Sequence, residues 1–490
     1  MMYIIVMAMA KTRFFSDFTC NKSLRRMAFF AAALFVSHPI QTQSVTYIVQ
    51  RFESLATMFY LLSIIFYIKA RTDTSARKFF YYITSLAITI VAMKTKEIAF
   101  TIPITALAVE FLFIEKKEKG RFTFIFPMLL LMLIIPLTIV NGDIFNLLNS
   151  HKIASSNISQ YQYLITQFSV ILTYFMLLFC PVDQCLDYDY PLSTSFFQIK
   201  VVLGLAVILV IIARAIYSYY RSKESEGPDK YYLRLFTFGT MWFFITISVQ
   251  SGLVPLMDLI IEHRLYLPSI GFFIALLSII EVIKIRKGTD KLFSVIRIEV
   301  LLAIVIVVLC ITTIHRNRAW QTPFTLWEDV VKKHPNTARG RYNLGIEYSR
   351  TGRFDDAVIQ YEKAITIKPG YVEAYHNMGL AFMNKGSLDK AIWCFVMAIG
   401  LNPQYADAYV AYGNVLLKQN KLAEAMENYK KALEITPSPE AVNGVGVVMG
   451  LRGDFKGAIE MFDKALSLKK DYKEAADNKQ VALSLIKGNK

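Results

Sequence analysis

RYNLGIEYSRTGRFDDAVIQYEKAITIKPG (341–370) and YHNMGLAFMNKGSLDKAIWCFVMAIGLNPQ (375–404) are two copies of one pattern, set 34 residues apart. Gly345 and Gly379 share that step, as do Ala357 and Ala391, Tyr361 and Phe395, Ala364 and Ala398, and Pro369 and Pro403. The step continues through Gly413, Ala425, Tyr429, Ala432 and Pro437, and runs back to Pro335. A fourth unit is shorter by one residue and keeps Gly446, Ala458, Phe462 and Ala465. The physics behind the pattern is simple. Two antiparallel helices meet where Gly and Ala permit close approach, an aromatic ring fills the hole between neighbours, and Pro ends the second helix.

A 34-residue period with these offsets is the signature of tetratricopeptide (TPR) repeats. Four repeats are expected at 338–371, 372–405, 406–438 and 439–472. Gly352, Gly386 and Gly453 supply the turn within each helix pair, with Asn420 in place of Gly in the third. A linker and half repeat occupy 315–337, with Trp327 at the aromatic position, and 473–490 forms a capping helix and tail. Such a solenoid has a concave face that suits a protein or peptide partner. Asn343 and Asn377 sit two residues before their glycines on the inner helix, and are candidates to grip an extended peptide in that groove. The asparagine ladder breaks at Ala411.

Working outward from the repeats, the rest of the chain is of another kind. Of 490 residues, 54% are hydrophobic and 19% charged. Residues 1–314 hold 29 Lys+Arg and 19 Asp+Glu, whereas the shorter stretch 315–490 holds 25 and 19. The first part is too apolar for a water-soluble domain and the second is ordinary for one. This excludes a single globular enzyme, a disordered chain and a disulfide-rich secreted scaffold. The net charge of +16 does not point to nucleic acid, because the basic residues of the first part lie in short gaps between apolar runs. Cys20, Cys180, Cys185, Cys310 and Cys394 are scattered without metal-ligand spacing, so neither zinc nor a disulfide framework is expected.

Apolar runs fall near 52–68, 79–93, 98–114, 122–140, 163–180, 198–218, 235–256, 266–284 and 298–314, with a shorter one at 24–37. Most approach the ~20 residues a helix needs to cross ~30 Å of hydrocarbon. Only helices satisfy every backbone amide inside their own segment there. The fold class expected is therefore all-α: a polytopic helical membrane domain over 1–314, with about nine or ten apolar segments, followed by a TPR α-solenoid. The gaps 69–78, 115–121, 214–234 and 284–297 together hold 18 Lys+Arg, and the gaps 38–51, 94–97, 141–197 and 257–265 hold 5. The positive-inside rule places the first set in the cytoplasm and the second outside. The last helix then delivers the repeats to the extracytoplasmic side of a bacterial inner membrane or an ER-like one. Parity requires an odd number of crossings between Asn141 and Arg221, so 163–180 is expected to dip at the outer interface rather than cross. Asn157-Ile158-Ser159 in that region matches a glycosylation sequon.

Ionisable groups at membrane depth cost several kcal/mol and default to a functional reading. Four clusters stand on the outer side: His38-Pro39 with Gln50, Arg51 and Glu53; Lys94-Thr95-Lys96-Glu97; Asp183 with Asp187 and Asp189; and Glu262-His263-Arg264 with Tyr266. Arg51, Lys96, Glu97, His263, Arg264 and Tyr266 are candidate donor-phosphate and active-site residues. Asp187 and Asp189 are candidate acids. Such a set permits acid–base chemistry or a divalent metal, with Lys, Arg and His holding an anionic phosphate. The competing reading is snorkelling and ordinary loop charge.

HPIQTQSVTYIVQRFESLATMFYLLS (38–63), KTKEIAFTIPITALAVEFLF (94–113) and EHRLYLPSIGFF (262–273), followed by the repeats, resemble the transmembrane-and-TPR (TMTC) family of protein O-mannosyltransferases and its bacterial relatives. The resemblance implies a multi-span GT-C type glycosyltransferase. It would take a sugar, mannose in the family, from a polyprenyl-phosphate donor at the outer face and pass it to a protein held by the TPRs. His263, Arg264, Lys96 and Arg51 are then placed to meet the donor phosphate.

GT-C enzymes carry an acidic motif, often an Asp pair, in the loop after their first membrane helix. Here His38 follows what matches the second family helix, so that first helix and loop have no counterpart. Asp17 is a solitary acid in a basic stretch and takes no catalytic role. The expectation is that the gene starts upstream of Met1. The alternative function is a non-catalytic membrane-anchored TPR scaffold in the envelope. A transporter ranks last, because few charges lie near helix centres.

Overall fold

The computed structural model describes every residue except 19–21, 48–49, 115–119, 136–157, 253–255, 257, 288–291 and 489–490. It divides into two compact units, Met1–Gln321 and Thr322–Lys490. Both are helical, and no strand occurs among the described residues. The all-α class read from the sequence is correct.

Unit 1 contains α1 (Met2–Met9), α2 (Lys22–Ser37), α3 (Thr42–Thr46), α4 (Arg51–Thr72), α5 (Arg77–Thr95), α6 (Ile102–Phe113) and α7 (Arg121–Leu130). It continues with α8 (Gln160–Phe179), α9 (Ile199–Glu224), α10 (Asp229–Ile247), α11 (Tyr266–Arg286) and α12 (Leu292–Ala319). Among the described residues, five helical stretches are long and apolar enough to cross a membrane: Arg51–Thr72, Gln160–Phe179, Ile199–Glu224, Glu262–Arg286 and Arg297–Ala319. The outward faces of α9 and α12 carry exposed Val210, Ile216, Leu301 and Ile311. Water would penalise such continuous apolar surface, whereas hydrocarbon does not. Unit 1 is the integral-membrane part of the protein.

The helices differ in places from the apolar runs. α10 ends at Ile247, nine residues before the run 235–256 does, because Ser248, Ser251 and Gly252 are weak helix formers. The run 122–140 breaks into α7 and a short 3₁₀ turn at Leu131–Leu133, and its remainder from 136 lies outside the described residues. α12 continues five residues beyond Ile314 through a polar turn, so the unit boundary falls at 321/322 rather than 314/315. Asn157 of the sequon also lies outside the described residues; Ser159 caps α8, accepting from the Gln162 N–H at 3.2 Å.

α8 has the length of a spanning helix, but the chain doubles back along it. The Tyr190 hydroxyl lies 3.1 Å from Thr173 Oγ1, and the Ser193 N–H donates to Thr166 Oγ1 at 2.9 Å. α9 then starts beside the first half of α8, where a Cβ on Gly204 would stand 2.1 Å from the Phe168 carbonyl oxygen. The chain enters and leaves this hairpin at the same end of the bundle. α10 and α11 pack backbone to backbone: a Cβ on Gly239 would meet the Gly271 oxygen at 2.5 Å.

At the far end of α4, Arg71 and Glu110 form a buried ion pair whose second contact, Arg71 Nη2 to Glu110 Oε2, is 3.3 Å. The Tyr67 hydroxyl (2.9 Å) and Arg121 Nε (3.4 Å) also donate to that carboxylate.

In unit 2, inner helices Ala338–Arg350, Val372–Asn384, Ala406–Lys418 and Pro439–Leu451 alternate with outer helices Phe354–Ile367, Leu388–Leu401, Leu422–Ile435 and Phe455–Leu468. Pro323–Lys333 precedes them and Lys473–Gly488 follows. The periodic glycines are where the rings lie: a Cβ on Gly345, Gly379, Gly413 or Gly446 would stand 2.5–2.7 Å from Tyr361, Phe395, Tyr429 or Phe462. Asn420 takes the left-handed turn at φ 59°, the role glycine has at the same place in the other repeats.

Candidate functional site

Four helix ends meet at one end of unit 1: the start of α4, the end of α5, the end of α10 and the 3₁₀ turn Glu262–Leu265 that leads into α11. Glu53 lies in the first turn of α4 and Lys94 in the last turn of α5, with Lys96 capping it. Acid at a helix start and base at a helix end are each favoured by the helix dipole. Antiparallel packing of α4 on α5 then brings opposite charges together. Lys96 Nζ lies 2.6 Å from Glu53 Oε2, with the carboxylate wholly buried. Gln50 Oε1 accepts from the same ammonium at 3.3 Å. Glu97, next in sequence, is exposed and accepts from Gln250 Nε2 at 3.5 Å.

The turn into α11 closes this cluster from the other side. The His263 N–H donates to Gln43 Oε1 at 2.8 Å, and its ring Nδ1 is buried with no hydrogen-bond partner among the described residues. His263 stands within electrostatic range of Lys96 and Arg264. Arg264 is buried; its guanidinium donates to the Asp258 oxygen at 2.8 Å and the Leu259 oxygen at 3.3 Å, beside the Tyr163 and Tyr174 hydroxyls. Tyr266 packs edge-on against Phe35 with ring centres 5.3 Å apart. His38 caps the next 3₁₀ turn: its Nδ1 accepts from the Ile40 N–H at 3.1 Å, so Nε2 carries the proton toward the Leu178 oxygen at 3.2 Å. Burial pushes its pKa down to about 4 and keeps the ring neutral.

The segment that returns from α8 reaches the same place. Glu262 Oε1 accepts from the Cys185 N–H and, at 2.7 Å, from the Tyr188 hydroxyl. Burial and the Glu262 carboxylate hold the Tyr188 hydroxyl protonated well above its usual range. Asp187 is buried beside it, and Asp189 is exposed.

Lys96, Glu97 and His263 thus come together, with Arg264 next to them. Arg51 does not join them: its exposed Nε turns to the Val45 oxygen at 3.4 Å. Asn343 and Asn377 belong to unit 2. The Asn343 amide donates back to the Arg339 oxygen of its own helix at 2.9 Å, and Asn377 donates to the Tyr342 hydroxyl of the preceding repeat at 2.9 Å. Three partners escaped the residue-by-residue reading: Gln43, Gln250 and Tyr188. All are neutral, so charge gave no signal of them. Among the described residues, no group of three or more His, Cys, Asp or Glu is placed to hold a metal ion.

Comparison with known proteins divides along the two units. TPR repeat models match residues 345–386, 372–405 and 406–439. A protein O-mannosyl-transferase of Caenorhabditis elegans is 27% identical over 352 residues, covering 70% of this chain and 46% of the relative. Protein O-mannosyl-transferase TMTC3 of Mus musculus is 22% identical over 374 residues, covering 70% and 39%. The chain spans less than half the length of these relatives. Among solved structures, a thermophilic TPR protein of Thermus thermophilus aligns over 35% of this chain and 93% of its own, at 21% identity and a TM-score of 0.31. MamA of Desulfovibrio magneticus aligns over 32% and 92%, at 20% identity and a TM-score of 0.29. The chain thus carries tetratricopeptide repeats and, over 70% of its length, is similar to the TMTC-like protein O-mannosyl-transferases.

Proposed function

We propose that the protein is an integral-membrane glycosyltransferase of GT-C type. It transfers a sugar, mannose by analogy with its relatives, from a polyprenyl-phosphate donor to a protein hydroxyl, with the acceptor chain held in the TPR groove on the extracytoplasmic side. The observation that carries this is the buried Glu53–Lys96 pair at a helix junction, with His263 and Arg264 beside it. Ionisable groups buried in the membrane part of a protein are costly and default to a functional reading.

In the reaction, the bond between sugar C1 and the phosphate oxygen breaks while a bond from C1 to the acceptor oxygen forms. Negative charge builds on the departing lipid phosphate. Lys96 stands ready to meet it, oriented by Glu53 and Gln50, and Arg264 supports the loop from the other side. One preorganised donor of this kind is worth about 10²–10³ in rate. Glu97 is the exposed carboxylate of the cluster, and receives the acceptor proton. Glu262 and Glu53 are held by partners and serve as supports.

The test is transfer of labelled mannose from polyprenyl-phosphate mannose to a peptide by the purified full chain in lipid. Activity that falls about a hundredfold in Lys96→Gln supports the reading. Unchanged activity in both Lys96→Gln and Glu97→Gln removes this site, and no transfer by the wild-type chain leaves a membrane-anchored scaffold.

A further inference from the structure

The end of unit 1 away from Glu53 and Lys96 holds a second polar site. α4 has 22 residues, which at ~1.5 Å each spans about 33 Å. Its two ends therefore stand about one hydrocarbon thickness apart. Next to Thr72 a cavity of about 390 Å³ opens among the chain after α1, the α4–α5 turn and the first turn of α7. Its charged lining is Lys11, Arg13, Arg71, Asp73 and Lys78, and Phe124 forms an aromatic wall. Arg71 lies over that ring with its guanidinium carbon 4.8 Å from the centre. Among the described residues the one lining acid, Asp73, is already engaged: it accepts from the Ser75 N–H at 2.7 Å and lies 3.9 Å from Arg77.

Among the described residues, cations thus outnumber acids around this space. The residues adjoining the lining are of the opposite character. Phe79 and Phe80 follow Lys78, Phe122 lies two residues before Phe124, and they are 62%, 66% and 84% exposed. A soluble anion would have no use for that rim, whereas acyl chains would cover it.

We infer that this cavity binds the phosphate of an anionic phospholipid, with the acyl chains lying along Phe79, Phe80 and Phe122. Lys11, Arg13 and Lys78 neutralise the headgroup, and Arg71 closes the floor while held by Glu110. The inference is independent of sugar transfer at the other end.

The experiment uses the full chain in phosphatidylcholine nanodiscs, titrated with phosphatidylglycerol or with inorganic phosphate, and reads lipid retention by native mass spectrometry. Phosphatidylglycerol is retained over phosphatidylcholine in the wild type. The triple variant Lys11→Ala, Arg13→Ala, Lys78→Ala loses at least about tenfold of that preference, since it removes three of the cations that line the cavity. The variant Arg221→Ala, Lys223→Ala removes two cations from the same end, outside the cavity, and changes it less than twofold. Equal losses in the two variants would mean general surface attraction and overturn the site. So would displacement of the lipid by millimolar inorganic phosphate, or no preference at all.

Discussion

Lys96 and Glu53 sit on antiparallel neighbours, one capping the end of α5 and the other in the first turn of α4, and meet at 2.6 Å in a space from which the carboxylate has no exposure. The pair is costly to break from one side only. Removing one partner of a buried ion pair leaves an uncompensated charge, a loss of about 3–5 kcal/mol. Lys96→Ala is therefore expected to lower both stability and transfer. The double variant Glu53→Gln, Lys96→Gln should recover most of the thermal stability in detergent and remain inactive. Recovered activity in the double variant would show that the ammonium does not meet the substrate.

The contact between α10 and α11 leaves no room for side chains. Gly239→Val and Gly271→Val each drive a branched side chain into the facing backbone. Each should lower the melting temperature of the purified chain by several degrees, for a loss above about 2 kcal/mol. Gly227, whose added Cβ would meet only side-chain atoms at 3.1 Å or more, should tolerate Ala with little change.

In the solenoid, the same contrast separates two glycines. Gly379→Val meets the Phe395 ring at 2.5 Å, whereas Gly370→Ala meets nothing within 4 Å. Hydrogen exchange of the full chain should show opening across Val372–Leu401 in the first variant, by about 2–3 kcal/mol, and none in the second.

His376 gives the repeats a pH response. Burial lowers its pKa below the usual 6.5, against a smaller opposing effect of Asp407. Between the folded value and 6.5, the unfolded chain binds a proton that the folded one refuses. Stability is therefore complete above pH 6.5 and declines as pH falls below it. His376→Gln should flatten this dependence over pH 5–7 in hydrogen exchange of Val372–Asn384. An unchanged slope would assign the response to other groups.

The proposed orientation has a direct readout. In a chain whose exposed Cys180 and Cys310 are replaced, a cysteine at Lys470 should react with an impermeant reagent outside intact cells. One at Thr74, in the α4–α5 turn, should react only after lysis. The reverse pattern would place the repeats in the cytoplasm and end the sugar-transfer proposal.

The two units were legible to different degrees, for a physical reason. A repeat writes each contact several times over: Gly379 and Phe395 recur as Gly345 and Tyr361, so spacing alone reveals who touches whom. Even the Asn420 turn was readable against its glycine counterparts. In unit 1 each contact occurs once. Hydropathy located the helices and charge located Lys96, Glu97, His263 and Arg264. Neither could show that Glu53 is the residue opposite Lys96, nor that Glu262 is grasped by Cys185 and Tyr188 from a segment 74 or more positions away. Arg51 and Asp189 carried the same charge signal as their neighbours, yet they face outward, because side-chain direction depends on packing that composition does not encode.

α4 is fastened at both of its ends, to Lys96 on one side and, through Arg71, to Glu110 on the other. A piston-like slide of one helical turn, about 5.4 Å, would strip a buried charge of its counterion in both leaflets at once. This helix is therefore a fixed ruler within the bilayer. Any motion that admits a substrate must come from elements that lean on it, such as the doubled-back α8 hairpin, rather than from α4 itself.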